Sequence, residues 1–123
     1  MMYTISKEFH FSASHILEHL PEEHPCTRLH GHNYVVVVEF TSSNLNEVGF
    51  VIDYRDLQPI KDYIDKNLDH RHLNDVFNFN PTAELMAEHL FHVFKDLFPM
   101  PMQFRFSAII VKETPKTTAR FDK

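Results

Sequence analysis

The sequence predicts an α+β fold in which helices cover one face of an antiparallel sheet. Three observations lead there. Two strand-like runs come first, two stripes of helical period follow, and two more strand-like runs close the chain, an order of ββααββ. No repeat, low-complexity tract or linker interrupts the 123 residues, so 1–123 reads as one domain. A composition of 43% apolar and 24% charged residues suits a globular chain that buries roughly two-thirds of its unfolded surface.

Each element has its own signal. From Tyr3 to Ser12, Tyr3, Ile5, Phe9 and Phe11 alternate with Thr4, Ser6, Glu8 and His10, the period of a half-buried strand. His15 to His30 loses the pattern and carries Pro21, Pro25 and several charges, which predicts an irregular loop. His32 to Thr41 is β-branched and aromatic, a second strand. After a polar loop, Asp53 is placed to cap a short turn and Pro59 to open a helix on which Ile60, Ile64 and Leu68 share a face. The second helix starts at Pro81-Thr82, with Asn80 or Thr82 as its cap. Leu85, Met86, Leu90, Phe91, Phe94, Leu97 and Phe98 form its stripe, and Pro99 and Pro101 stop it. Phe104 to Lys112 and Thr117 to Phe121 supply the remaining strands. Four strands leave two open edges, and open edges invite pairing with another chain.

Composition excludes several function classes. The longest purely apolar run is about five residues, at Tyr34 to Val38, too short to span a membrane as a helix. The opening residues show no basic region leading into an apolar one, so no secretory signal is expected. One cysteine, Cys26, makes no internal disulfide, and the cytoplasm is the expected compartment. Two glycines are too few for the Walker loop or the dinucleotide fingerprint. A net charge of −5 argues against a general nucleic-acid surface. Ten scattered histidines point instead to a metal or acid–base site.

The strongest local signal is Cys26-Thr27-Arg28-Leu29-His30-Gly31-His32. On an extended backbone, residues two apart share a face at a spacing of about 6.6 Å. His30 and His32 can therefore converge on one ion, with Gly31 letting the backbone bend and keeping the opposite face open. His15, at the end of the first strand, is the best third ligand for a set of three imidazoles with an open coordination position. The same His-x-His spacing also occurs in ordinary surface or hydrogen-bonded pairs. Cys26 reads equally as a fourth ligand, a reactive thiolate or an inert buried residue. Asp69-His70 reads as a tuned acid–base pair or as a solvated helix end, and Glu113 as a bidentate clamp or a polar strand end. His89 and His92, three apart on the second helix, read first as part of a polar face and second as paired ligands.

Taken together, Phe9-His10-Phe11-Ser12-Ala13-Ser14-His15, Cys26-x-x-x-His30-Gly31-His32, Asp53-Tyr54-Arg55-Asp56-Leu57, Leu68-Asp69-His70, Pro81-Thr82-Ala83-Glu84 and Lys112-Glu113-Thr114 resemble the 6-pyruvoyltetrahydropterin synthase / 6-carboxytetrahydropterin synthase family over nearly the whole chain. The short chain and the Cys-x-x-x-His-Gly-His form resemble the branch that makes 6-carboxy-5,6,7,8-tetrahydropterin for queuosine.

The resemblance implies His15, His30 and His32 as zinc ligands and Cys26 as the proton acceptor. It further implies Asp69 and His70 as a relay and Glu113 as the anchor of the pterin ring, with a part in catalysis. It implies the tunnelling fold, with sheets of three subunits joined into a barrel, two trimers stacked as a hexamer, and active sites between subunits. The implied substrate is 7,8-dihydroneopterin triphosphate, converted without nicotinamide to the 6-carboxy product, acetaldehyde and triphosphate. A 6-pyruvoyl product and a non-catalytic pterin- or metal-binding oligomer are the alternatives. The triphosphate calls for a local basic cluster, for which Arg28, Lys112, Lys116 and Arg120 are the candidates.

Overall fold

The computed structural model describes residues 1–98 and 103–123; Pro99 and Pro101, expected to stop the second helix, lie outside them. Two long strands form the centre of the sheet. β1 (Tyr3–His15) and β2 (His30–Ser42) pair antiparallel without interruption from Tyr3 opposite Ser42 to His15 opposite His30. Each runs further toward the histidines than the alternation predicts, because the pairing carries the ladder on to His15 and His30.

Helix α1 (Gln58–Asn67) follows a 3₁₀ turn over Tyr54–Leu57, whose cap is Asp53, as the sequence predicts. Pro59 lies in the first turn of α1, where its missing N–H has no intrahelical partner to lose. A two-residue strand β3 (Arg71–His72) and a one-turn helix α2 (Leu73–Val76) come next, then α3 (Ala83–Lys95). Thr82 caps α3 by accepting from the Leu85 N–H at 3.2 Å. Strands β4 (Arg105–Thr114) and β5 (Thr117–Asp122) complete the sheet.

The strand order is β3-β1-β2-β4-β5. The sheet thus has five strands and is mixed, where the sequence predicts four antiparallel ones. β3 runs parallel to β1, with Ala13 opposite Arg71 and Ser14 opposite His72. Two residues are too short to show a period. Local contacts hold them instead: Asp69 Oδ1 accepts the Ser12 N–H at 3.0 Å, and the His70 N–H donates to the Ser12 carbonyl at 2.7 Å.

The core lies on one face of the sheet. Phe9 and Phe11 of β1, Val36, Val38 and Phe40 of β2, and Ile109 and Val111 of β4 pack against Ile60 and Ile64 of α1 and Met86, Leu90, Phe91 and Phe94 of α3. Leu85 leaves the expected stripe and is exposed, because it sits beside the Met86–Leu90 row rather than on it. Leu97 and Phe98 fall beyond the last turn of α3 and pack at the margin of the core. No helix among the described residues is long and apolar enough to cross a membrane.

Candidate metal centre and active site

The site grows out of the β1–β2 ladder. Partners across an antiparallel pair share a face, so His15 and His30 meet directly, and His32 joins them two residues along β2. One nitrogen from each ring lies within 4.8 Å of the others. His15 Nε2 and His30 Nε2 are 2.8 Å apart. Beyond them, His15 Nδ1 points at the Pro81 carbonyl at 2.9 Å, and His30 Nδ1 at the Arg28 carbonyl at 2.8 Å. A carbonyl only accepts, so both Nδ1 atoms carry a proton, which leaves both Nε2 atoms free to offer lone pairs to a shared ion.

Lone pairs at that separation repel unless a cation lies between them. Nitrogens sharing a tetrahedral ion with bonds of about 2.0–2.1 Å sit about 3.3 Å apart, close to this geometry. His32 Nε2 is buried without a hydrogen bond, although Glu113 Oε2 stands 3.2 Å away in a poor orientation for one. Three imidazoles, two oriented by backbone carbonyls and one with an orphaned nitrogen, fit a metal ion.

Burial lowers the His15 imidazole to about 4, the Pro81 carbonyl opposing and the neighbouring histidines reinforcing that shift. Burial also lowers His32, against the pull of Glu113. Both rings are therefore neutral ligands near neutral pH. Tyr34, two residues after His32 on the same face, has its hydroxyl 3.3 Å from His15 Nδ1, and its ring stacks on Phe11 at 4.9 Å. Burial raises its phenol, so Tyr34 stays protonated. The strand period could have placed Tyr34 here, whereas the Pro81 carbonyl has no sequence signal.

Cys26 lies in a 3₁₀ turn (Pro25–Thr27) and is half-buried. Its N–H donates to His24 Nδ1 at 3.0 Å, and its carbonyl accepts the Leu17 N–H at 3.0 Å. Its thiol is not one of the clustered ligand atoms. His24, which shows no sequence pattern, is thus the cap that turns the chain at the cysteine.

Asp69 and His70 do pair, Oδ2 to Nδ1 at 3.0 Å, with His70 in the left-handed region at φ 60°. The Ser12 N–H is the main reason the Asp69 carboxyl is held below the usual carboxylate range. His70 leaves 84% of its side chain exposed, beside an open depression of about 600 Å³ that Ser12, Ser14, Gly31, Asn33 and His72 also line. Gly31 pairs regularly with Ser14 and makes no left-handed bend, so its contribution is the open space. Glu113 lines a different depression of about 220 Å³ with Thr117, Thr118 and Ala119. Among the described residues, no hydrogen bond joins Cys26, the Asp69–His70 pair and the three histidines.

Arg120 is unsuited to an anion, since it is already bidentate to Glu39 at 2.8 and 3.0 Å and bonded to Asp122 at 3.1 Å. Arg28 and Lys116 are exposed and Lys112 half-buried. His89 packs against the stacked pair Phe77 and Phe79, with ring centroids 5.2 Å from each, rather than on a polar face.

Residues 4–123 match the family described as 6-pyruvoyl tetrahydropterin synthase. The chain is 41% identical over 96 residues to the 6-carboxy-5,6,7,8-tetrahydropterin synthase of Synechocystis sp., covering 73% of each. It is 30% identical to the protein of that name from Haemophilus influenzae, covering 99% of this chain and all of that one. Its fold matches the Caenorhabditis elegans 6-pyruvoyl tetrahydropterin synthase structure with a TM-score of 0.85 and 26% identity, covering 100% of this chain and 96% of that chain.

Proposed function

The chain belongs to the 6-pyruvoyl tetrahydropterin synthase family, and on that premise we propose the reaction of its carboxytetrahydropterin branch. The enzyme is a lyase that converts 7,8-dihydroneopterin triphosphate to 6-carboxy-5,6,7,8-tetrahydropterin, acetaldehyde and triphosphate, a step toward queuosine. Relatives carrying the carboxytetrahydropterin name across most of the chain favour this product over the 6-pyruvoyl one. The observation that carries the chemistry is the convergence of His15, His30 and His32, with two of the three rings held by backbone carbonyls.

These three histidines hold zinc in this reading. The ion, when bound, supplies Lewis-acid chemistry that polarises the substrate's side-chain hydroxyls and acidifies the adjacent C–H bonds. Cys26 accepts and returns the proton at carbon as a thiolate. His70, oriented by Asp69 through Nδ1, serves as the second acid–base group, its Nε2 left to face substrate. Glu113 anchors the pterin by accepting paired hydrogen bonds from its guanidinium-like edge, and shares in proton handling from beside His32.

Among the described residues no hydrogen bond joins Cys26 and His70, and the sheet ends in β5 on one side and in the two-residue β3 on the other, which leaves most of the outer edge of β1 unpaired. Both features support assembly edge to edge into a barrel of three chains, two such rings forming a hexamer with active sites between subunits.

Mass analysis of products from zinc-loaded protein and 7,8-dihydroneopterin triphosphate, with an acetaldehyde assay alongside, tests the proposal. A 6-carboxy pterin plus acetaldehyde supports it. A 6-pyruvoyl product without acetaldehyde moves the chain to the other branch, and no turnover with zinc bound leaves a pterin- or metal-binding oligomer.

A further inference from the structure

Beyond His15, the chain leaves the ladder without becoming irregular. The three residues after it are tied down one by one. The Ile16 N–H donates to Asn74 Oδ1 at 2.8 Å, and Asn74 Nδ2 donates back to the Ile16 carbonyl at 2.9 Å. Two residues on, the Glu18 N–H donates to Asn80 Oδ1 at 2.9 Å, and Asn80 Nδ2 returns to the Glu18 carbonyl at 3.1 Å. Between them, the Leu17 N–H donates to the Cys26 carbonyl at 3.0 Å. One edge of this short segment therefore faces the two asparagines, and the residue between them reaches the cysteine.

A carboxamide carries one donor group and one acceptor, as a peptide unit does. The pairing of β1 with β3, Ala13 with Arg71 and Ser14 with His72, thus continues at Ile16 with the Asn74 side chain in place of a strand. Asn80 repeats the device next to Pro81, whose carbonyl holds the His15 ring. We propose that Asn74 and Asn80 are positioning residues that fix the ligand His15 and the Cys26 turn relative to each other, by serving as a side-chain edge strand along Ile16–Glu18. The inference rests on the metal and thiol roles proposed above. Neither asparagine touches substrate in it.

The test exploits the isosteric loss of a donor. Asn74→Asp and Asn80→Asp keep an acceptor for the Ile16 and Glu18 N–H groups but set a carboxylate oxygen against each carbonyl. Zinc affinity is measured by competition with a chromophoric chelator, and the alkylation rate of the single cysteine is measured on metal-free protein, with circular dichroism reporting the fold. The matched control is Asn46→Ala, which removes the acceptor of three N–H groups at Val48, Gly49 and Phe50 in a distant loop.

Loss of a supporting contact behind a metal ligand typically weakens binding by about ten- to a hundredfold, and that is the expected loss for Asn74→Asp. Alkylation of Cys26 is expected to accelerate in both aspartate variants. Should either fail to fold, Asn74→Ala and Asn80→Ala remove both donor and acceptor without adding charge and are read in the same way. Variants that lower the melting temperature as Asn46→Ala does, while keeping wild-type zinc affinity and thiol reactivity, would overturn the proposal. Neither readout uses the pterin reaction, so wild-type protein without turnover would sink the enzymatic reading and leave this one standing.

Discussion

His15 is fully buried, with His30, the Pro81 carbonyl, the Tyr34 hydroxyl and Glu113 all within 3.7 Å of its ring nitrogens. His70 is mostly exposed, and among the described residues its ring bonds only to Asp69. The two histidines mark two ends of one proposed site built on different principles. The metal end is assembled by a single sheet face, and burial lowers His15 and His32 so that both are neutral before any ion arrives. The proposed proton-transfer end is dispersed over a 3₁₀ turn and a sheet edge, and among the described residues no hydrogen bond joins Cys26 and His70. A tightly closed ligand set needs rigidity from within, whereas groups that meet substrate can be completed by a neighbouring surface.

The sharpest way to break this contrast is at the metal end. His30→Ala is expected to lose bound metal and all measurable turnover, and undiminished zinc by elemental analysis would sink the three-histidine site. Cys26→Ala should instead keep its zinc while turnover falls by about 10²–10⁴-fold, the usual worth of a positioned acid–base group. Loss of zinc on that replacement would make Cys26 a ligand. Mixing Cys26→Ala with His70→Ala chains sharpens the comparison further. If the two groups meet across an interface, mixed oligomers regain activity; if one chain supplies both, every site lacks one group and none returns.

Smaller effects follow. Glu113→Gln should weaken pterin binding by about 2 kcal/mol, roughly thirtyfold in KM, through one charge-assisted contact. An unchanged KM would remove Glu113 as the anchor. The metal end also carries a pH signature. In metal-free protein, His15 is depressed from an ordinary 6.5 to about 4, so the unfolded chain takes up its proton first as pH falls. The contribution of His15 to stability is full above pH 6.5, declines below it and is lost by about pH 4. Urea midpoints of wild type should therefore fall more steeply across that window than those of His15→Gln, and parallel curves would contradict it. Least of all, Thr82→Ala should cost about 1 kcal/mol through the lost cap of α3, read as a lower melting temperature with activity intact.

The metal end was the more legible in sequence, and for a physical reason. A strand has a period of two, so His30 and His32 had to share a face, and an antiparallel partner ending at His15 had one place to put that ring. The two longer helices, α1 and α3, were legible from Ile60, Ile64 and the Met86–Phe94 row, because burial on one side imposes a period, whereas the one-turn α2 was not. β3 was not, since Arg71 and His72 owe their pairing to Asp69 and a left-handed His70 rather than to any pattern. The anchoring of His15 by Pro81, and of the Cys26 turn by His24, depends on chain segments that folding brings together or on a single local cap, and neither leaves a periodic trace. Arg120 shows the opposite failure: a cation free in the sequence is spoken for once Glu39 and Asp122 lie beside it.

The unbroken thirteen-residue match between β1 and β2 also constrains how such a chain can drift in length. Dropping one residue from either strand would shift the pairing by one and turn His15 to the face opposite His30. Length changes within Tyr3–His15 or His30–Ser42 are tolerable only in compensating pairs, or in steps that restore the facing of the rings. The connection from Ile16 to Leu29 carries no such parity rule, although its first residues are tied to Asn74 and Asn80. Insertions among natural variants of this chain should therefore gather between His19 and Pro21, short of the His24 cap, and spare both strands.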